Sequence, residues 1–209
     1  MAFLHNAQLV PSKLELLAGW LPSQLWWPGG EVPAASVGAY RLDDPADEVG
    51  LETHLLSVGG RTVQVPLTYR GAPLDGAEDA LVGTLQHGVL GQRWVYDACS
   101  DPVYAAALAT IILTGGVQAD LMNMVDGRLE RREPTTFATG SGTVGSDVPP
   151  IGAIAATSDE NCTTIHSDGL ELVVRRTLDG DRSTAGAQTL TGRWPGHDGP
   201  ALLALARRI

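Results

Sequence analysis

The chain has 209 residues, 44% of them hydrophobic and 18% charged, with a formal net charge of −10. At about 100–200 residues per domain this allows one sizeable domain or two small ones with a real apolar core, and it excludes a disordered chain, a repeat array or a fibre. The acidic balance argues against nucleic acid or an anionic membrane surface as partner, because both attract basic patches, and the 13 arginines stand beside a single lysine, Lys13.

The first five residues lack a basic stretch followed by a long apolar run. The longest apolar run, 103–113, is about half of the ~20 residues that span a bilayer. With neither leader nor span expected, Cys99 and Cys162 read as reduced core residues and the cytoplasm as the address. Ser12 is placed to cap a short helix whose apolar face is Leu14, Leu17 and Ala18, interrupted at Gly19. Residues 20–30 are too rich in Pro and Gly to continue it and form a loop with three indoles.

Strands are expected at 36–42 and 50–58, with Gly59-Gly60 turning the second into a partner at 62–65. Further strands are expected at 80–86 and 93–98. Asp101-Pro102 then opens a helix over 102–114 that ends at Gly115-Gly116. A hairpin about Asp126-Gly127 follows, joining 117–125 to 128–133. Residues 135–150 are Thr, Gly, Ser and Pro without apolar periodicity, which reads as a linker or long loop. Strands at 151–156, 162–166, 170–178 and 188–193 and a terminal helix from Gly199 complete a second, smaller antiparallel unit.

Several groupings imitate functional motifs. Gly140-Ser141-Gly142-Thr143-Val144-Gly145 satisfies G-x-G-x-x-G, but Pro149-Pro150 forbids the helix that phosphate binding requires, so it reads as linker. His166-Ser167-Asp168 imitates a kinase catalytic triplet, yet Val173 stands where an Asn is needed, and a hairpin turn explains it. Asp179-Gly180-Asp181 lacks a third ligand nearby and reads as a turn. His87, Asp97, Cys99 and Asp101 match no zinc spacing, so neither metal nor cofactor is expected. Arg93 and Asp97 share a strand face and read as a surface ion pair. A G-x-S-x-G elbow is absent, and a Ser, His and acid triad would assemble only in space. Trp20, Trp26 and Trp27 are the most informative cluster, since an indole offers a broad apolar face to a protein or a sugar. Core packing is the better reading for Trp20 and Trp26, whereas Trp27 beside Pro28 suits the surface.

The segment 20–30, Trp-Leu-Pro-Ser-Gln-Leu-Trp-Trp-Pro-Gly-Gly, resembles the opening of the N-terminal cap of actinobacterial maltokinases, aminoglycoside-phosphotransferase-like kinases. Leu25 and Gly30 stand where that pattern has Arg and Lys. Residues 158–165 are similar to the family's Gly-Glu-Gln-Ser-Asn-Thr-Ser turn, and 170–178 to the strand that bears the phosphate-pairing Lys, here Val173. The resemblance implies an α+β fold: a cystatin-like cap of antiparallel sheet plus helix over 1–133, a linker over 134–150, and a degenerate kinase N-lobe-like unit over 151–209. It also implies a noncatalytic binding or regulatory module without catalytic residues or a catalytic C-lobe. Its surface would be Trp20, Gln24, Trp26 and Trp27, and its partner a kinase, a glucan-metabolism enzyme or a sugar, near α-glucan, trehalose or amino-sugar metabolism. The alternatives are half of a split sugar kinase, a cryptic carbohydrate-active enzyme and an oligomerisation domain.

Overall fold

A computed structural model describes residues 2–4, 8–33, 35–125, 128–180 and 183–209. In chain order, β1 (Ala2–Leu4) and β2 (Leu9–Val10) precede helix α1 (Lys13–Trp20). Strands β3 (Gly38–Leu42), β4 (Gly50–Val58), β5 (Arg61–Arg70), β6 (Leu81–His87) and β7 (Gly91–Asp97) lead to helix α2 (Pro102–Thr114). After β8 (Leu121–Val125) and β9 (Arg128–Arg132) come β10 (Phe137–Gly140), β11 (Ala155–Ser158), β12 (Cys162–Ser167), β13 (Leu170–Arg175), β14 (Gln188–Arg193) and β15 (Ala201–Arg208). The fold is α+β. One antiparallel sheet runs β2-β6-β7-β5-β4-β3 and a second runs β10-β14-β15-β13-β12-β11, while β1, β8 and β9 make a small third sheet.

Local chemistry explains the elements that frame the site. Ser12 Oγ accepts from Glu15 N at 3.3 Å and the Glu15 carboxylate accepts from Ser12 N at 2.7 Å, a reciprocal cap at the start of α1. Contrary to the sequence reading, α1 does not stop at Gly19 but continues to Trp20. Glycine costs a helix only ~1 kcal/mol against alanine, and burial of Leu17 and, one turn on, Leu21 offsets it. The Gly59-Gly60 turn has φ of +57° and +80°, the left-handed pair that suits the twist of a two-residue hairpin.

Alternation along β4 sends Leu51 and Leu55 to one face of the first sheet and Glu52, His54 and Leu56 to the other. The first face packs on α2, and the second lies under α1. Helix α2 matches its expected bounds, capped by Asp101 Oδ1 on Val103 N at 2.9 Å, opened by Pro102 and closed by Gly115 at φ +67°. It is apolar almost all round because a sheet lies on either side. Leu51 and Leu55 of the first sheet, Leu108 and Ile112 of α2, and Leu172, Val174 and Leu203 of the second sheet form one continuous cluster. Gln64 ties the sheets further: its Nε2 donates to the carbonyls of Arg175 at 2.8 Å and Leu203 at 3.0 Å. Beyond β13, residues 176–178 leave the second sheet and pair with β5, through Gln64 N to Arg176 O and Leu178 N to Thr62 O.

Two expectations from composition give way. Residues 201–208 form the strand β15, not a helix, and lie between β13 and β14. Ala and Leu favour helix intrinsically, but pairing on both sides overrides that preference. The stretch read as linker contributes β10, and its glycines form a collar on the C-terminus of α2. Gly142 N donates to Ile112 O at 2.9 Å and Thr143 N to Leu113 O at 3.1 Å. A Cβ on Gly140 would meet Ile111 O at 1.9 Å, and one on Gly142 would meet Leu113 O at 2.0 Å. The motif thus caps carbonyls at the negative end of a helix, the opposite of a phosphate cradle. Strands β8 and β9 pair as the expected hairpin, and its turn, Asp126-Gly127, lies outside the described residues.

Candidate functional site

The α1 face of β4 carries a polar cluster inside an otherwise apolar layer. The first turn of α1 lowers Lys13 onto Glu52, an ion pair that is the shortest contact of the group. Arg41, the neighbour of Glu52 across the β3–β4 ladder, adds Nη2 at 3.3 Å from the same carboxylate oxygen. His54, two residues along the strand, has Nε2 3.7 Å from it, while Ser36 Oγ lies 3.1 Å from Nδ1. Lys13 Nζ also sits 5.3 Å above the Tyr69 ring. Burial pushes the Glu52 carboxyl up, but Arg41, His54 and Lys13 outweigh it and hold the group well below the usual carboxylate range. Burial dominates at His54 and pushes its imidazole below the usual histidine value, against the pull of Glu52. Above the cluster opens a cleft of about 660 Å³, lined by Lys13, Leu14, Val32, Pro33, Ser36 and His54 among others.

Ser36, His54 and Glu52 follow the order of a nucleophile, base and acid, which only the folded chain reveals. The geometry is not that of a relay. At 3.7 Å the Glu52 oxygen is beyond hydrogen-bond reach of Nε2, and its charge is already neutralised by Lys13 and Arg41, so it does not orient the imidazole.

The indole loop follows its core reading at Trp26 and departs from its surface reading at Trp27, which is half-buried. Trp26 is 2% exposed, meets Trp20 edge to face at 5.7 Å, and stacks on the guanidinium of Arg176 at 4.4 Å. It therefore offers no face to a partner. Arg176 is itself buried, bound to both oxygens of Asp97 at 2.7 and 2.5 Å and to Thr163 Oγ1 at 2.7 Å. Asp97 thus pairs with Arg176, not with Arg93, whose Nη2 donates to Leu90 O. Trp20, Gln24 and Trp27 are half-buried, and Gln24 Nε2 donates to Trp20 O and Ser23 Oγ. Leu25 is exposed, and Gly30 has φ +87° beside Val58.

The remaining motif residues have structural partners. Asp101 receives Arg70 through two bonds of 2.7 Å, and His87 Nδ1 accepts from Val89 N and Leu90 N in a hairpin. Asp168-Gly169 is the two-residue turn between β12 and β13. Asp179 O and Gly180 O receive Arg175, and Asp181 lies outside the described residues. Cys99 and Cys162 are both buried thiols. No group of three or more His, Cys, Asp or Glu among the described residues is arranged to hold a metal ion. No helix among them is long and apolar enough to cross a membrane.

A helix laid on one face of an antiparallel sheet, with an indole loop at its end, makes an α+β module in the first half of the chain. Residues 20–101 match the family model described as the maltokinase N-terminal cap domain. Over that segment, from the end of α1 through β7, the chain is maltokinase N-terminal cap-like. No curated protein matches the chain. The matched segment includes Ser36, Arg41, Glu52 and His54 but not Lys13.

Proposed function

We propose that the chain is a noncatalytic binding or regulatory module of the maltokinase-cap kind, acting in the cytoplasm. It would serve α-glucan, trehalose or amino-sugar metabolism through a protein partner or sugar ligand held at the half-buried Trp20, Gln24 and Trp27. The family match supports the maltokinase relation, and the pathway rests on that relation. One observation supports the noncatalytic reading: Val173 is 2% exposed, clustered with Cys162 and Leu205. By the resemblance of 170–178 to the kinase strand, it takes the place of the phosphate-pairing lysine. An apolar side chain inside the sheet brings no positive charge to a nucleotide, and phosphoryl transfer depends on such charge. Thermal denaturation with ATP and Mg²⁺ tests the reading. A nucleotide at about 100 times its dissociation constant would add ~2.7 kcal/mol to the stability of a protein that binds it, and no such shift is expected here. A saturable shift, or sugar phosphate formed by the purified chain, would overturn the proposal.

A further inference from the structure

The polar cluster under α1 keeps hydrogen-bonding capacity that its own contacts do not use. His54 is 6% exposed and lines the cleft, yet its Nε2 has no hydrogen-bond partner, and Arg41 Nε is likewise buried without one. Lys13, the single lysine of the chain, gives one bond to Glu52 and has further N–H donors beside the same cleft. The first turn of α1 lines it too; the cap takes Ser12 N and Glu15 N, and Leu16 N donates to Ser12 O, which leaves the N–H groups of Lys13 and Leu14 without an acceptor within the helix. Two permanent cations, Lys13 and Arg41, face one buried carboxylate, Glu52. Glu15 also lines the cleft, and its carboxylate is bound back to Ser12 N. Leu9, Leu14, Ala18, Val32 and Pro33 supply an apolar wall. Pockets for small molecules combine such a wall with a few convergent polar groups at roughly 300–1,000 Å³, and this cleft of about 660 Å³ falls within that range.

We propose that this cleft binds a small organic anion, with its oxyanion head at Lys13, His54 and the start of α1, and its apolar body along Leu14 and Val32. A cation is disfavoured by Lys13 and Arg41. A neutral sugar is disfavoured because none of the described lining residues carries an indole or phenol ring on which it could stack. In the tautomer whose Nδ1 accepts the Ser36 hydroxyl, Nε2, which lies 3.7 Å from the Glu52 carboxylate, carries an N–H that suits an oxyanion. The site is separate from the Trp20, Gln24 and Trp27 surface, so each stands or falls alone.

The test uses the full chain and two probes, butyrate and inorganic phosphate, each titrated at constant ionic strength against chloride. The readout is the imidazole resonances of His54 by NMR, with the heat of binding by calorimetry. Saturable binding in roughly the millimolar range is expected for at least one probe. Butyrate alone would mark a carboxylate site, phosphate alone a phosphomonoester site, and both a general oxyanion site. Lys13→Gln should weaken binding about tenfold, the size of one charge-assisted hydrogen bond. Leu14→Trp keeps the charges and fills the cleft, and it should block butyrate. Neither probe saturating, or binding unchanged in both variants, would overturn the proposal.

Discussion

Gln64→Leu tests whether the two large sheets unfold as one body. Gln64 is fully buried, and besides its bonds to the Arg175 and Leu203 carbonyls its Oε1 accepts from Tyr40 OH at 3.1 Å. Leucine has similar volume, so the substitution removes hydrogen bonds with little cavity. It takes the Gln64 partner from two carbonyls and one hydroxyl in the core, at roughly 1–3 kcal/mol each. A carbonyl has a second lone pair, which favours the low end of that range and a total of about 3 kcal/mol. For a protein of this size 1 kcal/mol moves Tm by roughly 2–4 °C, so a fall of about 6–12 °C is expected. Scanning calorimetry should show one transition before and after the change, because the lost bonds join β5 to the second sheet. A shift below about 2 °C, or two transitions of which one moves, would refute the idea of a shared core held by this side chain.

The glycine collar and the buried ion cluster give two further tests. Gly142→Ala should cost roughly 2–4 kcal/mol in urea denaturation by forcing the loop off Leu113 O. Gly145→Ala, at φ +83° with open space around it, should cost only ~1 kcal/mol, and equal costs would refute the collar. Glu52 has its folded pKa depressed below the ordinary 4.5, so its stabilisation is complete above that pH and lost as pH falls through the folded value. Thermal melts should therefore show Glu52→Gln flattening the acid limb of the stability curve, and an unchanged limb would mean that the cluster does not contribute there.

What the sequence revealed of the fold was its local signals. Asp101-Pro102 and Gly115 state the bounds of α2 because a cap, a ring-locked φ and a left-handed residue act within one turn. Gly59-Gly60 does the same for a hairpin. The strand at 201–208 was hidden because Ala and Leu carry a helical preference that only neighbouring strands override. The collar was hidden because its glycines serve a helix more than twenty residues earlier in the chain. Of the site, Lys13 was noticeable as the lone lysine, and Glu52 with His54 shows two polar residues at strand spacing. Nothing local signals that Lys13 comes down onto Glu52, or that Trp26 faces an arginine 150 positions later.

The cap match ends at residue 101, immediately before α2, yet the first sheet is not closed there. Tyr40, Leu42, Leu51 and Leu55 are buried within the cluster that α2 and the second sheet complete. A fragment of residues 1–101 would expose these four side chains to water, at about 1.5–3 kcal/mol each, or roughly 6–12 kcal/mol together. That is comparable to the whole stability of a typical domain, about 5–15 kcal/mol. The fragment would also lose Arg176, leaving the Asp97 carboxylate without its buried partner and Trp26 without the cation on its face. It is therefore expected to lack cooperative unfolding and near-ultraviolet dichroism, to bind a hydrophobic dye and to associate, whereas the full chain should do none of these. A monomeric fragment that melts cooperatively with Trp26 still shielded from a fluorescence quencher would show that the cap needs no cover from α2, and would place a domain boundary at that point.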